Sequence, residues 1–209
     1  MVNELRQALD DIAAIRGQVA RAEQFRGYGP LALGGTAALA VLAGAVQKAW
    51  VPKPMVAPGA YAYFWSVVAA AAAALIAIEG VARTRRLHQG LAPEMIRGAL
   101  EKFLPAAAAG LLLTMALVRA RPADAALLPG LWQILFALGV FASCRFLPRA
   151  TLAVAGWYLA AGLASILASG DGAALAPWRM AAPFAAGQSL AALVLWRFSR
   201  QEANDGGTI

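Results

Sequence analysis

The sequence predicts an all-α polytopic membrane protein, with six transmembrane helices forming three helical hairpins and a cytoplasmic amphipathic helix ahead of them. Three observations predict it. The 209-residue chain is 61% hydrophobic and 14% charged, where a soluble domain runs near half apolar and a quarter charged. Its mean hydropathy is +0.62. The apolar residues also fall in long runs, each near the roughly 20 residues that cross a bilayer. Alanine dominates those runs and is only mildly apolar. Each span therefore depends on its Leu, Val, Ile and Phe, and its ends are soft.

Residues 1–26 read as a soluble-type helix. Leu5, Leu9, Ile12, Ile15 and Val19 recur at spacings of four and three and make one apolar stripe. Gly27-Tyr28-Gly29-Pro30 interrupts the chain, and Pro30 suits the first turn of the next helix. Spans are predicted at 30–46, 60–78, 103–118, 125–143, 150–168 and 180–198, all within a transmembrane domain of 27–200. Pro105 and Pro183 are expected in first turns. The polar stretch 201–209, with Gly206-Gly207, reads as a disordered tail. The first residues are charged and mixed, so no cleavable signal peptide is expected and the first span serves as its own insertion signal.

Lys and Arg set the orientation. Thirteen of the 18 basic residues fall in the N-terminal segment, the 79–102 and 144–149 connections and the C-terminal end. The other five are Lys48, Lys53, Arg119, Arg121 and Arg179. The positive-inside rule places the first set, and both termini, in the cytoplasm of an inner-membrane protein, read here as bacterial. Arg83, Arg85 and Arg86, just after the second span, are expected at lipid headgroups. The net charge of +7 is thus read as membrane orientation, with no nucleic-acid partner. Trp50, Tyr61, Tyr63, Trp65, Trp132 and Trp178 are expected at the outer interface and Trp196 at the inner one. Phe103-Leu104-Pro105 and Phe146-Leu147-Pro148 echo one another. They are the trace of a same-way repeat of hairpins, or chance in a chain rich in Leu, Ala and Pro.

Small residues four apart let membrane helices approach closely. Gly156, Ala160, Ala164 and Ala168 form such a row, as do Ala69, Ala73 and Ala77, and Ala181, Ala185 and Ser189. They predict a tight bundle. Glu79 is the acid most nearly inside a span. Such a group is a functional candidate, but Arg83 lies four residues on and a structural ion pair is the reading preferred. Gln133 and Gln188, mid-helix amides, either line a polar path or bond between helices, and the second reading is preferred.

No nucleophile with a base, no acidic pair and no metal-ligand cluster stands out. His88 and Cys144 are single residues of their kinds, so haem, zinc and disulfide chemistry have no partner residues. No cofactor, metal or enzymatic activity is expected. The N-terminal segment balances Arg6, Arg16, Arg21 and Arg26 with Glu4, Asp10, Asp11 and Glu23. A helix lying on anionic lipid would carry excess positive charge, so this one is expected to contact protein: a partner, its own copy or the bundle. The functional expectation is a non-catalytic sensor, anchor or accessory subunit in the bilayer. The alternative is a small transporter or channel between the hairpins. The two differ in whether Gln133 and Gln188 face a common polar void.

Overall fold

The computed structural model describes residues 29–87, 92–143, 150–170 and 172–205. The predicted amphipathic helix with Leu5, Leu9, Ile12, Ile15 and Val19 lies outside the described residues, as do His88, Cys144, Phe146-Leu147-Pro148 and the last four residues. Arg83, Arg85 and Arg86 are placed in a helix, but their side chains lie outside the description.

Among the described residues the regular structure is all helical. The helices are α1 (Pro30–Trp50), α2 (Pro58–Leu87), α3 (Ala92–Ala120), a short 3₁₀ helix (Pro122–Leu127), α4 (Leu128–Ser143), α5 (Thr151–Leu167) and α6 (Pro177–Asp205). Four stretches are long and apolar enough to cross a membrane: Pro30–Trp50, Pro58–Ala82, Phe103–Ala120 and Pro122–Ser143. They mark the chain as a membrane protein. α5 is apolar but has only 17 residues. α6 has the length, but Pro183, Gly187, Gln188 and Ser189 dilute its apolar run.

Large apolar side chains stand exposed along the helices, among them Leu31, Ile78, Leu112, Leu138, Leu163 and Leu193. Soluble monomers rarely expose such continuous apolar surface. In a bilayer these side chains are in their preferred solvent.

Helix ends follow local chemistry. Gly29 is extended and Pro30 opens α1, as its missing N–H allows. α2, α3 and α6 run beyond the apolar runs into polar sequence, and α6 is helical to Asp205 where the sequence reads as a tail from 201. These extensions move Pro105 and Pro183 from first turns into helix interiors. A proline there removes the bond to the carbonyl four residues earlier. For Pro183 that carbonyl belongs to Arg179.

Each helix packs on its successor, and α6 returns against α1 to close a ring. Contacts set the directions. Ala32 at the start of α1 meets Glu79 near the end of α2. Gly59 meets Val118, Gly110 meets Leu135, Gly130 meets Ile166, and Gly44 meets Ala181. All neighbours are antiparallel. One end of the ring, here called proximal, holds the start of α1; the distal end holds Trp50.

The closest pairs are α1 with α6 and α4 with α5, while α2 and α3 touch little. Both close pairs join helices from different predicted hairpins, so the hairpins are not the packing units. Glycine explains the closeness. A Cβ on Gly162 would lie 2.8 Å from the Gly130 carbonyl oxygen, and one on Gly130 would lie 2.7 Å from the Gly162 oxygen. Only the absence of both side chains permits this crossing.

Two predicted small-residue rows behave otherwise. Gly156, Ala160 and Ala164 are exposed, and Gly156 has nothing within 4 Å of where its Cβ would be. The opposite face of α5, carrying Gly162, packs instead. Of the α6 row, Ala181 packs against Gly44, while Ser189 is exposed.

Glu79 has a structural partner. Its Oε2 accepts the Ala32 backbone N–H at 2.6 Å. The first turn of a helix has N–H groups without intrahelical acceptors and a partial positive charge. A carboxylate from α2 satisfies one of them and ties α2 to the beginning of α1. The carboxylate also occupies the space that a Gly29 side chain would need.

Candidate functional site

Three of the aromatic residues expected at the outer interface turn inward. Tyr61 and Trp65 are buried, and Trp132 packs against them. Tyr61 and Trp132 stack at 6.2 Å between centroids with planes 7° apart. Hydrogen bonds of the two indoles hold the layer in place. The Trp65 indole N–H donates to Gln47 Oε1 at 2.9 Å, and Gln47 Nε2 donates to the Leu175 carbonyl at 2.9 Å. The Trp132 indole N–H donates to Thr114 Oγ1 at 2.7 Å. The layer therefore links α1, α2, α3, α4 and the segment before α6. Trp50, Tyr63, Trp178 and Trp196 are exposed, as interface residues should be.

Gln133 sits behind this layer, fully buried. Its Nε2 donates to the Arg179 carbonyl at 2.9 Å. This is the carbonyl that Pro183 leaves without its helical donor. The amide of α4 thus completes the backbone of α6. Trp157 from α5 donates to the Pro183 carbonyl at 2.9 Å on the other side of the same break. Arg179 is buried too, with Nη2 3.3 Å from the Ala168 carbonyl and its guanidinium over the Trp178 ring. The sequence counts it among the five basic residues of the outer side; the structure buries its side chain at the distal end.

Below the aromatic layer, toward the proximal end, lies a cavity of about 590 Å³ lined by all six helices. It begins at Trp65, Trp132 and Met180 and reaches Gly80, Phe103, Ser143 and Leu195. Its volume falls within the roughly 300–1,000 Å³ of ligand pockets. Its wall is overwhelmingly apolar. Ala69, Ala73 and Ala77 of α2 line it, facing Ala106, Ala107 and Gly110 of α3. The row predicted to bring α2 against a neighbour therefore borders empty space.

The cause is visible in the packing. The glycine contacts draw α1 to α6 and α4 to α5, while α2 and α3 meet at the distal end through Ala62, Leu117 and Val118. Only 11% of the α2 apolar window and 6% of the α3 window is buried, against 39% for α1. Of the neighbouring pairs in the ring, α2 and α3 touch least, so theirs is the loosest seam beside the cavity.

Gln188 lines the cavity and Gln133 does not, so the two amides do not share a void. Gln188 hydrogen-bonds the Tyr158 hydroxyl. Tyr158 packs edge-on to Phe136 at 4.6 Å and tilted on Phe184 at 5.1 Å. Among the described residues no group of three or more His, Cys, Asp or Glu could hold a metal. Sequence reasoning missed Gln47, Tyr158 and the cavity. Gln47 lay one residue past the predicted end of the first span, and an alanine row looks the same whether it meets a helix or a hollow.

No family model matches the chain, and no curated protein and no solved structure shows significant similarity to it. Fold and cavity define the class: an all-helical membrane protein with an apolar cavity lined by its six long helices.

Proposed function

We propose that the chain is a non-catalytic membrane binding protein whose central cavity takes an apolar guest from the bilayer. The cavity carries this reading: about 590 Å³ of almost wholly apolar space. An apolar guest there exchanges few polar contacts and needs no catalytic group. The loose α2–α3 seam supports supply from the lipid side, and the aromatic layer borders the cavity at its distal end. In this reading all six helices span the inner membrane of a bacterium, both termini are cytoplasmic, and the proximal end faces the cytoplasm. Occupancy of the cavity is then reported to a protein partner, or to a second copy, by the N-terminal helix through Leu5, Leu9, Ile12, Ile15 and Val19. The chain thus acts as a sensor or accessory subunit. Arg83, Arg85 and Arg86 meet lipid headgroups. Glu79 and Gln133 hold the fold.

The transporter reading asks Gln133 and Gln188 to face one polar path. Gln133 is committed to the Arg179 carbonyl instead, which favours a binding site over a conduit.

The test is to fill the cavity. Ala73→Phe with Ala107→Phe places two large side chains where the structure has methyl groups bordering the void. Wild-type protein released from lipid nanodiscs in a native mass spectrometer should retain a lipid-derived apolar adduct. The double variant, with two rings obstructing the path of an extended chain, should lose most of that adduct while remaining folded by circular dichroism. Equal retention by both proteins refutes the reading.

A further inference from the structure

Resting on that reading, we propose that the guest is a slender hydrocarbon chain carrying one neutral oxygen function, and that Gln188, braced by Tyr158, is the residue that recognises the oxygen.

Shape supplies the first half. α6 lines the cavity from Met180 to Leu195, about 22 Å at 1.5 Å per residue. An extended hydrocarbon chain matches that length, and the lining it would touch is almost wholly apolar.

Polarity supplies the second half. Several hydroxyls on the wall are turned back on their own helices. Thr36 donates to the Leu33 carbonyl, Thr114 to Gly110 and Ser143 to Gly139. Gln188 is the one amide among the lining residues, and it is bonded to Tyr158. A primary amide has two N–H donors and a carbonyl acceptor, so a single bond to a hydroxyl leaves it hydrogen-bonding capacity. Gln188 stands halfway along the lining stretch of α6, seven residues from Leu195 and eight from Met180. In an apolar surround a polar group without a partner is costly. A guest oxygen at mid-chain would meet that amide. A plain hydrocarbon would leave its remaining polar capacity unmet. A site built around such a group rejects the analogue that lacks it. Charge on the guest is disfavoured, because no acid or base lines the cavity. The recognised class is a long-chain secondary alcohol, ketone or similar neutral lipid.

The experiment compares a mid-chain octadecanol with octadecane, doped at equal mole fraction into nanodiscs holding the full chain. Bound amounts are read by native mass spectrometry. Wild-type protein should retain the alcohol over the alkane by about two- to tenfold, the scale of one buried hydrogen bond. Gln188→Leu should reduce that preference to near unity while still retaining alkane. Gln188→Asn keeps the amide but withdraws it by one methylene; it should show an intermediate preference and serves if the Leu variant does not assemble. Equal retention of both probes by wild type overturns the recognition by Gln188 and leaves the apolar-guest reading standing. Retention of neither probe overturns both.

Discussion

Gly162→Leu is expected to separate α5 from α4 and to destabilise the protein by roughly 3 kcal/mol, the upper range for overpacking a filled interface. The backbone distances leave no other outcome. A Cβ at 162 would already stand 2.8 Å from the Gly130 carbonyl oxygen and 2.7 Å from Ile134 Cγ1. The Gly130 oxygen is helix backbone and cannot swing aside as a side chain could. Relief requires moving one helix away from the other, which loses the dispersion contacts that hold membrane helices together. Gly156→Leu is the internal comparison. It lies on the same helix, with open space around the site, and should change stability by less than about 0.5 kcal/mol. Thermal unfolding in one detergent measures both. Equal loss at the two positions would mean that α5 packs through its Gly156 face.

Gln133→Leu is expected to cost about 1 kcal/mol, because it removes a buried hydrogen bond to the backbone of the neighbouring helix. The bond joins two helices. Pro183 deprives the Arg179 carbonyl of its helical donor, and Gln133 Nε2 supplies the replacement at 2.9 Å. Pro183→Ala restores an N–H at position 183 that can reach the same carbonyl. In that background Gln133→Leu should cost markedly less, giving a coupling energy close to that cost in a double-mutant cycle. Additive effects would show that the amide acts on something other than the proline break.

These two cases show how far the sequence can be read. Long apolar runs are visible because each position adds its own transfer free energy, and 30–46 or 60–78 needs no knowledge of neighbours. The four long apolar helices follow from that pattern. Which face of a helix packs depends on a second helix, and the sequence of one helix does not contain it. Gly162 was passed over because it breaks the four-residue row of Gly156, Ala160 and Ala164, yet Gly162 lies opposite Gly130 and the row faces outward. Aromatic residues near span ends are ambiguous in the same way. Tyr61 and Trp65 share a segment with Tyr63, but only the first two reach partners inside. Spacing on its own helix pairs Glu79 with Arg83, whose side chain lies outside the described residues; the bond the structure shows, to the Ala32 N–H, comes from 47 residues away. The role of Gln133 was half legible: a mid-helix proline asks for a donor to the carbonyl four residues back, but only the fold says which amide answers.

The cavity was the least legible feature, for a physical reason. An alanine row is equally compatible with a close helix contact and with a vacancy, and the difference lies in whether neighbouring helices pull elsewhere. Here α1 is drawn to α6 and α4 to α5, and the Ala69, Ala73 and Ala77 row is left bordering the hollow.

Occupancy of that hollow by a bilayer-derived chain is the central claim, and fluorescence of Trp132 tests it most directly. The indole lines the cavity at its distal end. With the other five of the six tryptophans replaced by Phe, the protein is reconstituted with increasing mole fractions of lipid brominated along its chains. If a chain enters the cavity, Trp132 is quenched steeply and saturably at low mole fraction, as a site fills. A Trp178-only variant, whose indole is exposed at the surface, is quenched in proportion to the brominated fraction throughout. Trp132 fluorescence that stays unquenched, or that tracks the Trp178 response without saturation, would contradict the account.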